Sequence, residues 1–410
     1  MLLSDTTFLV KGVVKLKFIH AADLHLESPF KGLKNDETPN GLWKQIYEST
    51  FKSFERIVND AIEYDVDFVL LAGDLFDRDN QTPKTYDFFQ SQMQKLNEHN
   101  IDVYMIYGNH DYFDMQKESV SFPDNVHVFG NEVETKTFTL DGKKIAITGF
   151  SYANKWITDK KIDEYPVKND VDVQIGMLHG GLEQTGDHYA PFSLDDLISK
   201  KYDYWALGHI HKRQQLNENP LVFYSGNIQG RHKNEPGDKG YLLVDDESGK
   251  LEAQFHATSL IDWLTLDLSM DFVDVESAKN HILQVLMGNK YENMQLISLN
   301  LILNNPISDG QRQDLEYRVT NALSKDYEQL NAWIYEINVR LSDDQKMSSI
   351  DQDIWDEAQE KVFSEDEISS VSKSLRKYDF IAQHLDDSKE DLMEQTKMKL
   401  LGGKEDTDED

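Results

Sequence analysis

Short, continuously apolar runs alternate with amphipathic segments between about residue 15 and residue 260. Runs rich in Val, Ile, Leu, Phe and Tyr, without polar alternation, are typical of strands buried on both faces. Eight such runs occur: KLKFIHAADLH, VDFVLLAGDLFD, DVYMIYGNHD, KIAITGFSY, VQIGMLHGG, DYWALGHIHK, LVFYSGN and GYLLVDD. They predict a domain built on buried strands.

Apolar residues recur at three- and four-residue spacing in two segments between these runs. One segment extends from Trp43 to Ile62 and the other from Tyr86 to Leu96, and this spacing predicts two amphipathic helices. Strand, helix and strand in that order predict parallel pairing, with ligand sites at the carboxyl ends of the strands. The later runs lie closer together in the chain, which predicts hairpins and a second, more antiparallel sheet.

The pattern changes near Ile261. Strand-like and helix-like segments then alternate as IDWLTLDLSM, VESAKNHILQVLMG, QLISLNLILNN, QRQDLEYRVTNALSK and NAWIYEINVRL. None of these strands ends in a cluster of ligating residues. We therefore predict a small α/β domain over residues 261–345, after a first domain over residues 15–260, and we predict that residues 1–14 form a disordered leader.

The C-terminal segment is strongly acidic. Residues 351–410 contain 19 Asp and Glu against 8 Lys and Arg. We predict a helical region over residues 346–400 and a disordered acidic tail over residues 401–410. An apolar stripe in the helical region either docks on the helices of a partner or packs on the chain's own domain; it contains Ile354, Trp355, Val362 and Ile368.

Composition limits the classes of function. With 42 basic and 74 acidic residues the formal net charge is −32, which repels nucleic acid and anionic membranes unless basic residues are locally concentrated. The chain has no cysteine, which excludes disulfides, cysteine-bound zinc and thiolate nucleophiles. No apolar run approaches the roughly 20 residues of a membrane span, and the first residues do not resemble a secretory signal. The sequence predicts a cytoplasmic protein with no membrane partner.

Five of the strand-like runs end in residues that can bind metal. These residues are Asp23 and His25 in DLH, Asp74 and Asp77 in GDLFD, Asn109, His110 and Asp111 in GNHD, His179 in LHGG, and His209 and His211 in GHIH. A single His or Asp at a strand end is more often a cap or a satisfied polar group. Together, however, they are predicted to meet at one end of one parallel sheet, where glycines allow sharp turns of the backbone.

The mixture of ligand types indicates which metals suit the site. Carboxylate, amide oxygen and imidazole together favour manganese, iron or zinc over magnesium and calcium, which prefer oxygen ligands. The motifs jointly supply seven such ligands, namely two Asp, one Asn and four His. Seven are too many for one ion, whereas two ions that share a carboxylate use all of them. Two metal ions about 3.5–4 Å apart are a common device for displacement at phosphorus. In this interpretation Asp23 and His25 share one ion.

The five motifs, in this order, resemble the calcineurin-like metallophosphoesterase superfamily over about residues 15–260. The resemblance implies an α/β (α+β) fold, a two-sheet β-sandwich flanked by helices, with two divalent ions that we expect to be Mn²⁺. It implies that one ion binds Asp23, His25 and His211, that Asp74 bridges, and that the other ion binds Asn109, His179 and His209. Attack by a hydroxide between the ions, with His110 as general acid, would then cleave a phosphodiester.

Five residues near the motifs have two interpretations each. Asp111 is a candidate for orienting or charge-stabilising the histidine before it, and Asp77 either acts behind the ligands or caps a turn. His188 and Tyr189 either contact substrate or form a polar loop tip. Arg231, in GNIQGRHK, either contacts a phosphate or belongs to a surface charge cluster.

The sequence around the motifs narrows the resemblance further. Segments such as FIHAADLHLESPF and SGNIQGRHKNEPGDKGYLLV are similar to the SbcD-type DNA repair exonuclease branch, and most of all to bacterial YhaO-like proteins. That branch implies a DNA exonuclease in DNA repair, a capping domain over residues 261–345, an SMC-like coiled-coil ATPase as partner, and a homodimer. Two alternatives stay open, namely a phosphoesterase for cyclic nucleotides or small molecules, and a scaffold that binds the ATPase.

Overall fold

The structure is a computed structural model that describes residues 15–77, 82–113, 121–183 and 188–342, together with residue 361. The chain divides into two compact units, with the boundary between Trp263 and Leu264. The predicted leader (residues 1–14) and acidic tail (401–410) lie outside the described residues, and so does the predicted helical region (346–400) apart from residue 361. No helix in the described ranges is long and apolar enough to cross a membrane.

The first unit is built mainly from short strands. Its strands are β1 Lys17–Ala21, β2 Phe68–Ala72, β3 Asp102–Ile106, β4 Val126–Val128, β5 Glu134–Leu140, β6 Lys143–Gly149, β7 Val173–His179, β8 Tyr204–Gly208, β9 Gln214–Glu218, β10 Leu221–Tyr224, β11 Gly240–Asp245 and β12 Glu252–Ala257. Its helices are α1 Asn40–Glu63, α2 Pro83–Glu98 and α3 Leu194–Ser199. The two helices that the spacing of apolar residues predicts are α1 and α2.

The strands of this unit form two sheets, each with six strands among the described residues. The strand orders are β12-β11-β1-β2-β3-β4 and β5-β6-β7-β8-β10-β9. The predicted mixed α/β fold with two large sheets is confirmed. The prediction that the second sheet is more antiparallel is wrong, because each sheet contains three parallel and two antiparallel pairings within the described ranges.

The alternation of side chains along β1 explains how the layers pack. Ile19 and Ala21 face α1 and α2, where Phe54 and Phe89 are buried in the same cluster. Phe18, on the opposite face, is buried in the core between the two sheets. The strands β1, β2 and β3 are therefore covered on both faces, which is why their sequences are continuously apolar.

Strands at or near the sheet edges are the elements that the sequence pattern misses. β4, β5, β9 and β12 are not among the predicted runs, and their residues are mostly half-buried or exposed. A strand with one solvated face and few apolar residues gives a weak signal.

The second unit contains a three-stranded sheet and two helices among its described residues. The elements are β13 Ile261–Met270, α4 Val275–Gly288, β14 Met294–Leu303, α5 Asp309–Leu330 and β15 Ala332–Leu341, and the strand order is β13-β14-β15. Asp274 and Ser308 cap the two helices by accepting backbone N–H groups of Ser277 and Gln311. The groups of residues found suitable for a metal ion all lie in the first unit, as far as the described residues extend.

His20 lies in the core between the two sheets of the first unit. Its Nε2–H donates to the carbonyl oxygen of Leu207 (3.2 Å), and its Nδ1 accepts from the hydroxyl of Tyr204 (2.9 Å). Burial lowers the pKa of His20 from 6.5 to about 3. Below pH 6.5 the unfolded chain therefore binds a proton that the folded chain does not bind, so stability is lost as the pH falls towards the folded pKa.

This linkage predicts a pH-dependent difference between wild type and His20→Gln. Between pH 7 and pH 5 the wild type is expected to lose about 2 kcal/mol more unfolding free energy than the variant, which cannot bind this proton. Urea denaturation of both proteins at a series of pH values measures the difference. Identical pH dependence in the two proteins would contradict the assignment.

Candidate metal centre

The loops after β1 and β2 run side by side and carry the first three candidate ligands. Backbone N–H groups of Asp23, His25 and Leu26 donate to the carbonyl oxygens of residues 73, 74 and 75, respectively. The N···O distance is 3.0 Å in each bond. The φ angles of Asp23, His25 and Asp74 are 52°, 41° and 51°, in the left-handed region that costs a non-glycine residue about 1–3 kcal/mol. The paired loop backbones hold these turns, which direct the side chains to the edge of the sheet.

Two glycines are required by the close approach of the ligands. A Cβ atom on Gly73 would lie 2.4 Å from Nδ1 of His179, and one on Gly108 would lie 2.3 Å from Oδ1 of Asp74. Both distances are far below a van der Waals contact. The glycines that precede Asp74 and Asn109 in the motifs therefore make room for the side chains of neighbouring loops.

The first cluster contains Asp23, His25 and His211. The Nε2 atoms of the two histidines are 3.2 Å apart, and Nε2 of His211 is 3.9 Å from Oδ1 of Asp23. Asp23 also accepts the backbone N–H of His209, at 3.1 Å from each carboxylate oxygen. Two imidazole nitrogens that face each other at this distance need a cation or a proton between their lone pairs.

The second cluster contains Asp74, Asn109, His179 and His209. Oδ1 of Asn109 lies 3.0 Å from Nε2 of His179 and 3.1 Å from Nδ1 of His209. Nε2 of His179 is 3.4 Å from Oδ2 of Asp74, and the same oxygen is 3.7 Å from Nε2 of His25. Asp74 thus stands between the two clusters, as a bridging carboxylate must.

The ligands come from both sheets, so the predicted single parallel sheet is wrong. Asp23, Asp74 and Asn109 follow β1, β2 and β3 of one sheet, whereas His179 ends β7 and His209 follows β8 of the other. The ligand-bearing strands of both sheets, β1, β2, β3, β7 and β8, have their carboxyl ends at the same edge of the sandwich. The prediction that the motifs meet is therefore correct for a different reason.

Burial and neighbouring charges shift the pKa values of the cluster residues in different directions. Burial raises the pKa of Asp23 to about 6. Burial opposes ionisation of Asp74 as well, but the neighbouring His179 holds the pKa of Asp74 well below its usual range. The pKa of His179 is raised to about 9, because the charges of Asp74 and Asp23 outweigh the effect of burial.

The donor set fits divalent metal ions. In two overlapping groups, Asp23, His25, His211 and Asp23, Asp74, His179, the potential ligand atoms lie within 4.8 Å of one another. The Nδ1–H of His179 donates to the carbonyl oxygen of Ala72 (3.0 Å), which leaves Nε2 as the metal-facing nitrogen. Buried carboxylates, an amide oxygen and imidazole nitrogens therefore converge where a pair of cations would compensate their charge.

A family model for calcineurin-like phosphoesterases matches residues 16–213, the stretch that contains all seven converging side chains. The chain carries a calcineurin-like phosphoesterase domain. The ligand side chains of this domain suit a dinuclear divalent metal site.

The chain is similar in sequence to several named proteins. The uncharacterized metallophosphoesterase YhaO of Bacillus subtilis is 44% identical over 270 residues, which cover 65% of this chain and 64% of that protein. The DNA double-strand break repair protein Mre11 of Methanocaldococcus jannaschii is 31% identical over 255 residues, which cover 58% of this chain and 64% of that protein. The chain thus spans less than two thirds of the length of these relatives.

A solved dimetal phosphatase from Danio rerio matches with a TM-score of 0.36 and 11% identity, covering 60% of this chain and 99% of that chain. This likeness is too weak to bear on function.

In the phosphoesterase domain His110 stands beside both clusters. Its backbone N–H donates to Oδ1 of Asp74 (2.8 Å), and its ring centroid lies 5.1 Å from that of His25. Burial lowers the pKa of His110, while the charges of Asp74 and Asp77 act in the opposite direction. The net pKa of His110 is lowered, because burial together with the charge of Arg231 outweighs the two carboxylates.

Asp111 has a role that differs from the predicted one. Its carboxylate accepts the backbone N–H groups of Gly108 (2.6 Å), Leu75 (2.6 Å) and Phe76 (3.3 Å). Burial raises the pKa of Asp111 to about 7, with a further contribution from the charge of Asp74. Asp111 joins the loops after β2 and β3 rather than orienting the ring of His110, because its side chain points back to these amides.

The predicted substrate residues lie at different distances from the clusters. The ring of Tyr189 packs on His209 with centroids 4.5 Å apart, whereas His188 is exposed and its carbonyl oxygen accepts the N–H of Ile157 (2.8 Å). Arg231 is close to the first cluster, since its Nη2 is 3.4 Å from Nδ1 of His211. Arg78, which the sequence leaves unassigned, lies outside the described residues.

The sequence motifs miss Glu235. This side chain is buried, and its Oε1 accepts the Nδ1–H of His211 at an N···O distance of 2.6 Å. Burial opposes its ionisation, but the contact with His211 lowers the pKa of Glu235 to about 2. The segment GRHKNE contains Glu235 next to Arg231, and an acidic residue within a rare basic cluster is the signal that could have identified it.

Proposed function

We propose that the chain is a DNA phosphodiesterase, an exonuclease acting in DNA repair, that uses two manganese ions. The observation that carries this proposal is the convergence of seven ligand-type side chains, Asp74 among them, with His110 beside them. A carboxylate shared between two clusters is the arrangement that a metal pair for phosphoryl transfer needs.

The chain's own residues have separable tasks in this reaction. Asp23, His25 and His211 would hold one ion, Asn109, His179 and His209 would hold the other, and Asp74 would contact both. When bound, the ions supply Lewis-acid stabilisation of phosphate oxygens and make water acidic enough to react near neutral pH.

His110 would donate a proton to the leaving oxygen, since it lies at the mouth of the ligand cluster without belonging to it. Its backbone N–H is held by Asp74, and the charge of Asp77 favours the protonated ring. The hydrogen bond thus keeps the residue beside the clusters, while burial lowers the pKa of the His110 ring and makes it a stronger proton donor.

The choice of DNA as substrate rests on similarity and on local charge. The similar Mre11 protein carries the name of a DNA double-strand break repair protein, and the sequence resembles the SbcD-type branch. Lys212 and Arg213 follow His211 in sequence, and Arg231 lies next to it in space, which gives an acidic chain local basic residues for phosphates.

The negative net charge of the chain is the reason for proposing a partner. With a net charge of −32, tight autonomous binding of DNA is disfavoured. We propose that an SMC-like coiled-coil ATPase supplies further basic surface, that residues 261–345 act as a cap, and that the protein works as a cytoplasmic homodimer. These proposals extend the resemblance to the SbcD-type branch.

The test is hydrolysis of matched DNA substrates by the purified protein. We expect Mn²⁺-dependent degradation of end-labelled linear duplex DNA, no cleavage of covalently closed circular DNA of the same sequence, and loss of activity with EDTA. The small diester bis-p-nitrophenyl phosphate is measured in parallel, with and without Mn²⁺.

The possible results separate the proposed activity from its alternatives. Cleavage of the closed circle would identify an endonuclease and contradict the exonuclease proposal. Hydrolysis of the small diester without cleavage of either DNA would favour a small-molecule phosphoesterase. Binding of two Mn²⁺ ions without any hydrolysis would favour the scaffold.

A further inference from the structure

A single buried carboxylate, Glu235, connects the metal ligand His211 with the basic residue Arg231. Glu235 is 6% exposed. Its Oε1 accepts from Nδ1 of His211 (2.6 Å) and lies 3.1 Å from Nε2 of His232. Its Oε2 accepts the backbone N–H of Arg231 (2.7 Å) and the Nδ2–H of Asn227 (2.8 Å). These contacts link His211, a member of the first cluster, to the segment 227–232.

The contact with His211 determines which nitrogen of that ring faces the metal pocket. With Nδ1–H donated to Glu235, the lone pair of Nε2 points towards Nε2 of His25 (3.2 Å) and Oδ1 of Asp23 (3.9 Å). Carboxylates that accept from the second nitrogen of a metal-bound histidine fix its tautomer and its orientation. The main chain is also held, because Nζ of Lys239 donates to the carbonyl oxygen of His211 (3.2 Å).

The contacts of Arg231 direct its guanidinium towards the same pocket. Its side chain is 14% exposed, with Nη2 at 4.0 Å from Oε1 of Glu235 and at 3.4 Å from Nδ1 of His211. The positive charge of Arg231 lowers the pKa of both His25 and His110. The buried Nε atom has no hydrogen-bond partner among the described residues, so this planar donor group still has hydrogen-bonding capacity for an anion.

We propose that Glu235 is a positioning residue with two functions: it orients the metal-binding nitrogen of His211, and it holds Arg231 where the guanidinium binds a phosphate oxygen of the substrate. The inference rests on the proposed dinuclear site and deepens it. It assigns to residues 231 and 235 a role that the strand-end motifs do not contain. Arg231 provides the charge and fork geometry that suit a phosphodiester.

The first test measures metal binding rather than activity. Glu235→Gln keeps the shape of the side chain, but it removes the charge and gives Asn227 and the Arg231 backbone a donor in place of an acceptor. Isothermal titration with Mn²⁺ is expected to show one of two sites weakened by about 10–100-fold. The control is Glu247→Gln, which alters a surface carboxylate near Lys15 and Lys17 and should bind Mn²⁺ as wild type does.

A second variant addresses the substrate contact. Arg231→Ala is expected to bind two Mn²⁺ ions with wild-type affinity and to raise KM for bis-p-nitrophenyl phosphate about tenfold or more, because a charged hydrogen-bonding group is lost. The control for this variant is Arg312→Ala, whose guanidinium pairs with Glu316 on α5.

The outcomes distinguish the inference from the proposed function. If Glu235→Gln does not fold, Glu235→Asp is measured, and it too must weaken one Mn²⁺ site. Wild-type Mn²⁺ affinity in a folded Glu235 variant, with only a lower melting temperature, would show a merely structural role and overturn the inference. An unchanged KM in Arg231→Ala would overturn the phosphate contact. Failure of the wild type to bind two Mn²⁺ ions would instead refute the proposed dinuclear site.

Discussion

Asp74→Asn is expected to lower kcat for phosphodiester hydrolysis by about 10³-fold or more, because the stabilisation that a metal pair supplies amounts to several kcal/mol. Asp74 places one side-chain oxygen near histidines of both clusters, at 3.7 Å from Nε2 of His25 and 3.4 Å from Nε2 of His179. Asparagine keeps the shape but offers one neutral oxygen, so it cannot bridge two cations. The number of bound Mn²⁺ ions should fall below two.

The measurement combines steady-state kinetics with metal analysis of the purified variant. The matched control is Asp102→Asn, at the start of β3, where the carboxylate contacts His127 at the surface (3.1 Å); this variant should keep wild-type kcat and metal content. Circular dichroism confirms that both variants are folded. A folded Asp74→Asn protein with two bound ions and wild-type kcat would contradict the bridging role.

His110→Asn is expected to have an effect that depends on the leaving group. For DNA, whose leaving oxygen is a strongly basic alkoxide, kcat should fall by about 10²–10⁴-fold, the usual contribution of a general acid. For bis-p-nitrophenyl phosphate the leaving phenolate needs little protonation, so the loss should be less than about tenfold. Metal content should not change, because the ring of His110 is not part of either ligand group.

The control for this experiment is His99→Asn, which alters a surface imidazole that contacts the carbonyl oxygen of Lys95 at the end of α2. It should behave as wild type on both substrates. Equal losses of His110→Asn on DNA and on the nitrophenyl ester would show that His110 does not protonate the leaving group. Loss of bound Mn²⁺ in the variant would assign the ring to metal binding instead.

Much of the candidate site can be predicted from local sequence because its residues follow a simple rule. Asp23, Asp74 and His179 each stand at or just after the end of an apolar strand, and parallel strands present such positions at a common edge. The glycines next to them signal positive φ angles and close approach, and the structure shows both at Gly73. These features depend on residues that are adjacent in the chain.

Other parts of the site depend on contacts between distant segments. The sequence placed Asp111 next to His110, but the carboxylate bonds to amides of residues 75 and 76, on the loop after another strand. Glu235 lies 24 residues from His211 in the chain, yet the two side chains are hydrogen-bonded. No periodicity or spacing rule relates such positions, since their proximity arises only when the sheets have formed.

The sequence by itself determined the bodies of the buried strands, helices α1 and α2, and the identities of the seven converging side chains, because hydrophobic period and strand-end chemistry are local properties. Only the tertiary structure decided which sheet each strand joins, how Asp74 comes to lie between two clusters, and which carboxylate supports His211. The physical reason is that sheet membership depends on which buried faces pack together. His20 and Tyr204, 184 residues apart in the chain, meet between the two sheets for that reason.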